Sequence, residues 1–439
     1  MSVDAKPFCL APWAGIHALP DGLVYPCCMS TFDPENAFGD LNKNTIEDIL
    51  NSEKAKQFRC KMMANKPDEK ACSHCISEEK TGTKSFRHHW NTKYEHTLPF
   101  VEKTDTDGHY RFEHFPYIDI RLSSLCNFKC RMCHSGLSSA WLLEDIQYES
   151  NYQNSFNSKT GVIEIPQKEK LIKFIIDRIE HVEEIEFAGG EPFLISDYFT
   201  LIKEFKRVKN YNVKIRFHTN ASSLYCKGEY IPNLLKEFKN VTIMLSIDGY
   251  GEVNDYTRKG SIYEKIVANV TALHREIPDV YLRLVPTISI PTVYSVPFMY
   301  IDFLRKGLVG HRDIACRPLY GPEYLNIQTL PLEDKLKILK FYNYFIDNIT
   351  TKLLQRFPDE SVTYVKQEFS SIINFMLLKN QIELFNSKRF VESIKRLDIR
   401  RDESYEDILP ETAHLLSGGA STYNLNDKYK KLKNFIDSI

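Results

Sequence analysis

The sequence predicts an α/β protein: a partial (β/α)6 TIM-like barrel, with a small cysteine-rich module before it and a helical extension after it. Three observations predict this. Between Tyr117 and about Pro322, short strand-like runs alternate with amphipathic helical runs. Ahead of that stretch, residues 1–95 hold six of the eleven cysteines among turn residues. After Pro331 the apolar pattern becomes helical throughout.

The elements follow in chain order. Cys9, Gly22 and Cys27 read as a hairpin that brings two thiols together, with glycine at the turn. Thr45–Met63 reads as the one good helix of residues 1–95. Residues 96–115 are polar and charged and read as a connector. Tyr117–Leu122, Ile185–Phe187 and Val213–Phe217 alternate with period two, as strands with unlike faces do. Val241–Ile247 is a longer apolar run, predicting a strand covered on both faces. Val280–Val285 and Ile314–Cys316 complete six strands. Helices are expected at Leu171–Ile179, Phe199–Val208, Tyr263–Ile277 and Tyr294–Leu304. A βαβα series implies right-handed crossovers and a parallel sheet. The barrel is expected over 116–322 and the helical extension over 323–439, where Leu332, Leu336, Leu339, Tyr342 and Phe345 keep a helical stripe. Further helix is expected from Ile372 and over Phe390–Leu397.

The chain has 439 residues, 43% hydrophobic and 26% charged, with a net charge of −1. Neutrality removes the electrostatic case for a nucleic-acid or anionic-membrane partner. No run approaches the roughly 18 apolar residues that span a bilayer. Met1–Pro7 lacks the apolar stretch of a secretory signal, so a cytoplasmic setting is expected. In a reducing cytosol, clustered cysteines bind metal or do redox chemistry more often than they form disulfides.

Cys126, Cys130 and Cys133 follow the first strand at x3 and x2 spacing. Three thiolates at such spacing can wrap one cubane cluster and leave one iron open, as catalytic metal sites do. A zinc site that borrows His134, or buried thiols without metal, are the alternatives at this point. The second strand ends in Gly189-Gly190-Glu191-Pro192 and the third in His218-Thr219-Asn220. The fourth ends in Ser246-Ile247-Asp248-Gly249, with Arg258 shortly after. Ligands of α/β folds bind at the carboxyl ends of strands, which is where these motifs fall.

This set resembles the radical S-adenosylmethionine (SAM) superfamily. The cysteine loop matches the C-x3-C-x2-C signature, and Gly189–Pro192 looks like the family's GGEP motif. The resemblance implies that Cys126, Cys130 and Cys133 hold a [4Fe–4S] cluster. It also implies that Gly189, Gly190, Glu191 and Pro192 meet the amino group of SAM, Ser246 and Asp248 its ribose, and Arg258 its carboxylate. Met132 stands where many members place an aromatic residue beside the adenine.

Cys9 and Cys27 with Cys72-x2-Cys75 offer four more thiolates, Cys28 being an alternative to Cys27. On spacing alone they suit a zinc ribbon, an iron–sulfur cluster or unliganded thiols. Phe38-Gly39-Asp40-Leu41 before a helix and the cysteine spacing resemble SPASM and twitch modules, which hold auxiliary clusters. Such modules usually follow the barrel. No cysteine lies in 76–95, so a shortened, twitch-like module with one auxiliary [4Fe–4S] cluster is expected. Cys60, Cys226 and Cys316 stand alone and read as packed apolar residues. Arg87-His88-His89-Trp90 reads as connector, with surface histidines.

The resemblance implies an oxidoreductase or maturase that cleaves SAM reductively and uses the 5′-deoxyadenosyl radical to take hydrogen from a substrate. Peptide or protein side-chain modification is the expected use. Oxidation or rearrangement of a small sugar or amino-alcohol metabolite is the alternative, and a zinc-bearing binding protein without catalysis is a third reading. A flavodoxin or ferredoxin is the expected reductant.

Overall fold

The computed structural model describes residues 7–80, 84–112, 115–148, 161–165, 167–378, 387–419 and 423–439. Met1–Lys6, on which the absence of a secretory signal was argued, lie outside them. In chain order the strands are β1 Gly15–Ala18, β2 Leu23–Tyr25, β3 Gly39–Asp40, β4 Tyr117–Ile120, β5 Lys129–Cys130, β6 Glu184–Phe187 and β7 Lys214–Thr219. They continue with β8 Tyr225–Cys226, β9 Glu229–Tyr230, β10 Asn240–Leu245, β11 Arg258–Lys259, β12 Tyr281–Leu284, β13 Thr287–Ile288 and β14 Arg317–Pro318.

Eight of these make one sheet in the order β12-β10-β7-β6-β4-β1-β2-β3. From β12 to β1 every pair is parallel, as the alternation predicts; β2 and β3 then turn antiparallel. The sequence reading missed β1. It is a four-residue strand after a Pro-Trp turn, too short to show a period, and it pairs with β4 over its whole length. The cysteine-bearing N-terminal hairpin is thereby part of the same sheet as β4, the strand from which the three-cysteine loop departs. The expected turn at Gly22 is present, with β1 and β2 antiparallel on either side.

Two faces of the sheet differ sharply. Ile118, Ile120, Ile185, Phe187, Ile215, Phe217, Ile243 and Leu245 are fully buried, and helices pack on them: Phe187 lies 4.7 Å from Tyr198, and Phe217 stacks on Phe199 at 5.9 Å. The opposite face carries Tyr117, Asp119, Glu184, Glu186, Arg216, His218 and Thr242. On that face of β10 Thr242 is half-buried and Met244 buried, so the strand is covered on both faces toward its carboxyl end, as its apolar run predicted. At the amino ends of the strands this face is plugged by helix Phe86–Lys93. Its Trp90 packs edge-on against Tyr117 at 4.9 Å, and its Lys93 pairs with the buried Glu184. The stretch read as connector with surface histidines is therefore a helix, and Arg87 and Trp90 on it are buried.

Elsewhere the differences are local. Thr45–Met63 is two helices, Ile46–Leu50 and Glu53–Met63, because Ser52 accepts from Ala55 N and starts a new helix. Ile314 makes an isolated parallel bridge to Leu284, and the pairing that follows is β13 with β14. The predicted helices appear at Lys168–Ile176, Ser196–Arg207, Tyr263–Glu276 and Val296–Arg305. After Pro331 come the long helices Leu332–Leu354 and Asp359–Leu377, then Ser387–Arg401 and Asn426–Asp437. Among the described residues, no helix is long and apolar enough to cross a membrane.

Candidate active site

The three-cysteine loop leaves β4 through Leu122, Ser123 and Ser124 and is fixed on three sides. Ser139 pins its start: the Cys126 amide donates to Ser139 Oγ, which donates back to the Cys126 carbonyl, both at 3.1 Å. Its middle, β5, pairs antiparallel with β11, and Arg258 lies opposite Cys130 in that register. Trp141 Nε1 donates to the Cys130 carbonyl at 2.7 Å. Burial pushes the Cys126 and Cys133 thiols up to about 12 and raises Cys130, the neighbouring thiols adding to the first two. The guanidinium of Arg258 acts the other way on Cys130.

The Gly189-Gly190 turn closes over this loop. Both glycines hold positive φ, +79° and +52°. A Cβ on Gly190 would sit 2.3 Å from the Leu125 carbonyl oxygen, and one on Gly189 2.7 Å from Arg121 Cβ. Only glycine allows both the conformation and the approach. The Glu191 amide then donates to Leu125 O at 2.7 Å. The Glu191 carboxylate is turned inward. It accepts from Thr219 Oγ1 at 2.5 Å, Asn220 N at 2.7 Å and Phe193 N at 2.9 Å, so it ties the turn to the end of β7. Of the residues expected to meet SAM, Glu191 thus spends its side chain on the protein. Thr219 and Asn220 enter the site through the same contacts, and Asn220 also reaches Asn127 inside the cysteine loop at 3.1 Å.

Asp248 is fully buried at the end of β10 and pairs with Arg258. It also accepts from Thr287 N at 2.7 Å. Ser246 follows directly on β10, its amide bonded to Thr219 O. The four strand-end motifs therefore gather at one end of the parallel strands.

The second thiol set converges as well. Cys9, Cys27, Cys72 and Cys75 line one small pocket whose other walls are largely apolar, among them Pro12, Pro26, Met29, Phe58 and Met62. Cys28 does not line it; burial raises its thiol well above the usual range, and Cys27, then Asp119 and Glu186, add to that. Burial pushes Cys9 and Cys72 up to about 12 and raises Cys27 and Cys75. Thiols lose their protons when a metal compensates the charge, so both donor sets have the chemistry an iron–sulfur group needs, though among the described residues no three ligating side chains are gathered as for a single metal ion. Of the lone cysteines, Cys226 and Cys316 are buried as expected, whereas Cys60 is half-buried.

One feature of the loop left no local signal. Arg131, between Cys130 and Met132, is 1% exposed and pairs with Asp398 and Glu403 of the C-terminal extension, both at 2.6 Å. Beside it, Arg401 pairs with Glu144 at 3.1 Å and lies over the Trp141 ring.

Residues 120–288 match the family model of the Radical SAM superfamily, and residues 9–76 that of the SPASM iron–sulfur cluster-binding domain. No curated protein matches the chain. Among solved structures, native anSMEcpe with bound AdoMet is 21% identical, covering 55% of this chain and 61% of that one, with a TM-score of 0.39. SuiB of Streptococcus suis bound to S-adenosylmethionine is 15% identical over 69% of this chain and 62% of that one, with a TM-score of 0.34. The same protein bound to the precursor peptide SuiA is 16% identical over 84% and 80%, with a TM-score of 0.35. This chain spans about three fifths of the length of anSMEcpe. A radical SAM domain works with a [4Fe–4S] cluster and SAM, and a SPASM domain with auxiliary iron–sulfur. With the first over 120–288 and the second over 9–76, this chain carries a radical SAM domain preceded by a SPASM domain, and radical SAM superfamily members are enzymes.

Proposed function

We propose that this chain is a cytoplasmic radical SAM oxidoreductase or maturase that modifies a side chain of a peptide or protein, with a flavodoxin or ferredoxin as electron donor. Cys126, Cys130 and Cys133 hold the SAM-binding cluster, and Cys9, Cys27, Cys72 and Cys75 one auxiliary [4Fe–4S] cluster. The parallel strands and their helices over 116–322 act as a partial (β/α)6 barrel, with 1–95 as the auxiliary module, 96–115 as connector and 323–439 as helical extension.

The observation that carries the reading is the meeting of three motifs at one sheet end. Arg258 stands opposite Cys130, and the Gly190 turn rests on Leu125 beside Cys126. When bound, the cluster and SAM supply a reducing electron and a carbon radical that takes hydrogen from the substrate. The chain's own residues prepare that chemistry. Bare backbone at Gly189 and Gly190 lets the turn close on Arg121 and Leu125 beside the cysteine loop, Glu191 fixes the turn, and Asp248 with Arg258 fixes the far wall. Ser246 and Pro192 complete the SAM-facing set. The buried walls keep water away from the thiolates.

The test is SAM cleavage. Reconstituted protein with dithionite and SAM yields 5′-deoxyadenosine, and Cys130→Ala abolishes the yield. A Cys130→Ala protein that works at the parent rate would sink the assignment.

A further inference from the structure

We propose that His17, Asp119 and Arg121 form a substrate subsite between the two thiol sets, which holds the hydroxyl or thiol of a serine, threonine or cysteine side chain and the adjoining peptide carbonyl. The inference rests on the peptide reading above and gives it a side-chain class.

His17 on β1 and Asp119 on β4 are register partners on the polar face of the sheet. His17 Nδ1 lies 2.7 Å from Asp119 Oδ2, and both residues are 1% exposed. A carboxylate that accepts from Nδ1–H leaves the Nε2 lone pair as the available atom. That Nε2, and Asp119 Oδ1, are buried without a hydrogen-bond partner among the described residues. Leaving such an atom unpaired is costly, so a ligand that donates to Nε2 gains from it.

Arg121, two residues beyond Asp119, supplies the opposite polarity. Its side chain makes no hydrogen bond among the described residues and reaches Asp119 only loosely, at 3.8 Å. Nearby Glu186 does not compete for it, because it is taken by Tyr117, Arg216 and His218. Placement is equally specific. Arg121 packs beneath Gly189 at the end of the three-cysteine loop, while Cys28, neighbour of Cys27 in the second thiol set, lies near Asp119 and Arg121. Phe32 stacks on the His17 ring at 5.3 Å and roofs the dyad.

Charge selects among ligands. An anion would face Asp119, and an ammonium would face Arg121. A neutral donor next to a carbonyl satisfies both: O–H or S–H to His17 Nε2, and C=O from Arg121.

The test uses anaerobic holoprotein and an equimolar mixture of N-acetylated, C-amidated Ala-X-Ala tripeptides, X being Ser, Thr, Cys, Val, Leu, Asp or Lys. Retained peptides are counted by mass spectrometry after rapid ultrafiltration. Ser, Thr and Cys peptides are retained at least tenfold over Val; His17→Gln removes that preference, and Arg121→Met lowers retention of every peptide at least tenfold, both at unchanged iron content. No preference on the parent, a preference for Asp or Lys, a preference that survives in His17→Gln, or undiminished retention in Arg121→Met overturns the proposal. The parent preference and Arg121→Met decide together if the buried His17→Gln protein does not fold. Retention reads binding and not turnover. A chain that cleaves SAM without selecting peptides loses only the subsite, and one that selects them without cleaving SAM loses only the function reading.

Discussion

Arg258 grips Asp248 with two parallel hydrogen bonds, Nε to Oδ2 at 2.6 Å and Nη2 to Oδ1 at 3.0 Å, and points Nη1 at the Cys130 sulfur from 3.7 Å. The fork that sequence reasoning assigns to the SAM carboxylate is thus closed on a protein carboxylate, with one nitrogen left toward the cluster ligand. Arg258 links the end of β10 to the cysteine loop. Burial would lower its basicity, but Asp248 raises it, so the charge persists at every working pH.

Lysine cannot span both Asp248 oxygens. Arg258→Lys is expected to weaken SAM binding by about ten- to a hundredfold, the worth of about 1.5–3 kcal/mol for a charged hydrogen-bond pair. An equilibrium titration on anaerobic proteins matched for iron checks it. Equal affinities would take Arg258 out of the site.

Cys27 and Cys28 separate in the structure, and so should their variants. Cys27→Ser is expected to cost the auxiliary cluster, lowering iron from about eight to about four per chain if each site holds one cubane. Cys28→Ser should keep the parent count. Iron and acid-labile sulfide assays decide, and a Cys28→Ser protein that alone loses iron would reverse the assignment.

How much of this was legible depends on the range of the contacts. The Cys126–Cys133 spacing and the Gly189–Pro192 turn are local, so they show in a single stretch of chain. The period-two strands and 3.6-period helices are local too, and the parallel sheet follows from their order. β1 was hidden because four residues show no period, and its partner β4 lies about a hundred positions away. Helix Phe86–Lys93 was hidden because its buried side chains, Arg87 and Trp90, carry a mixed polar and aromatic pattern. The roles of Glu191 and Arg258 could not be read either, since a carboxylate or guanidinium in a motif does not disclose whether it faces ligand or protein.

Glu191 gives a pH signature. Burial lifts its carboxyl to about 7, although Thr219, Asn220 and Phe193 donate to it. A folded value above the unfolded one means the folded chain holds the proton more tightly, so this group's contribution is complete below about pH 4.5 and lost as pH rises through about 7. The stability difference between parent and Glu191→Gln should therefore shift against the parent between about pH 4.5 and 7 and then level off. Denaturant titrations at several pH values measure it. A flat difference across that window would mean Glu191 stays ionised in its pocket.

The last prediction concerns the grip of the C-terminal extension on the cluster loop. Arg131 donates from Nη2 to Asp398 Oδ1 and to Glu403 Oε2, both at 2.6 Å, and from Nε to Tyr256 O at 3.1 Å; its guanidinium lies 3.6 Å from the centre of the Tyr256 ring. Tyr256 Oη and the Tyr405 amide also donate to Asp398. Lys259 pairs with Glu403 at 3.0 Å and donates to the Arg401 carbonyl. Arg131→Met keeps most of the volume but leaves two neighbouring carboxylates with a single lysine between them. Breaking one side of a buried ion cluster costs about 3–5 kcal/mol, whereas neutralising the whole cluster is close to neutral. Denaturant unfolding should therefore show Arg131→Met destabilised by about that amount and the triple variant Arg131→Met, Asp398→Asn, Glu403→Gln largely recovered. Because Arg131 sits between two cluster cysteines, the single variant should also lose iron from the SAM-binding site before the auxiliary one, which electron paramagnetic resonance of the two clusters resolves. An Arg131→Met protein within about 1 kcal/mol of the parent, with both cluster signals intact, would show that the extension touches the loop without holding it.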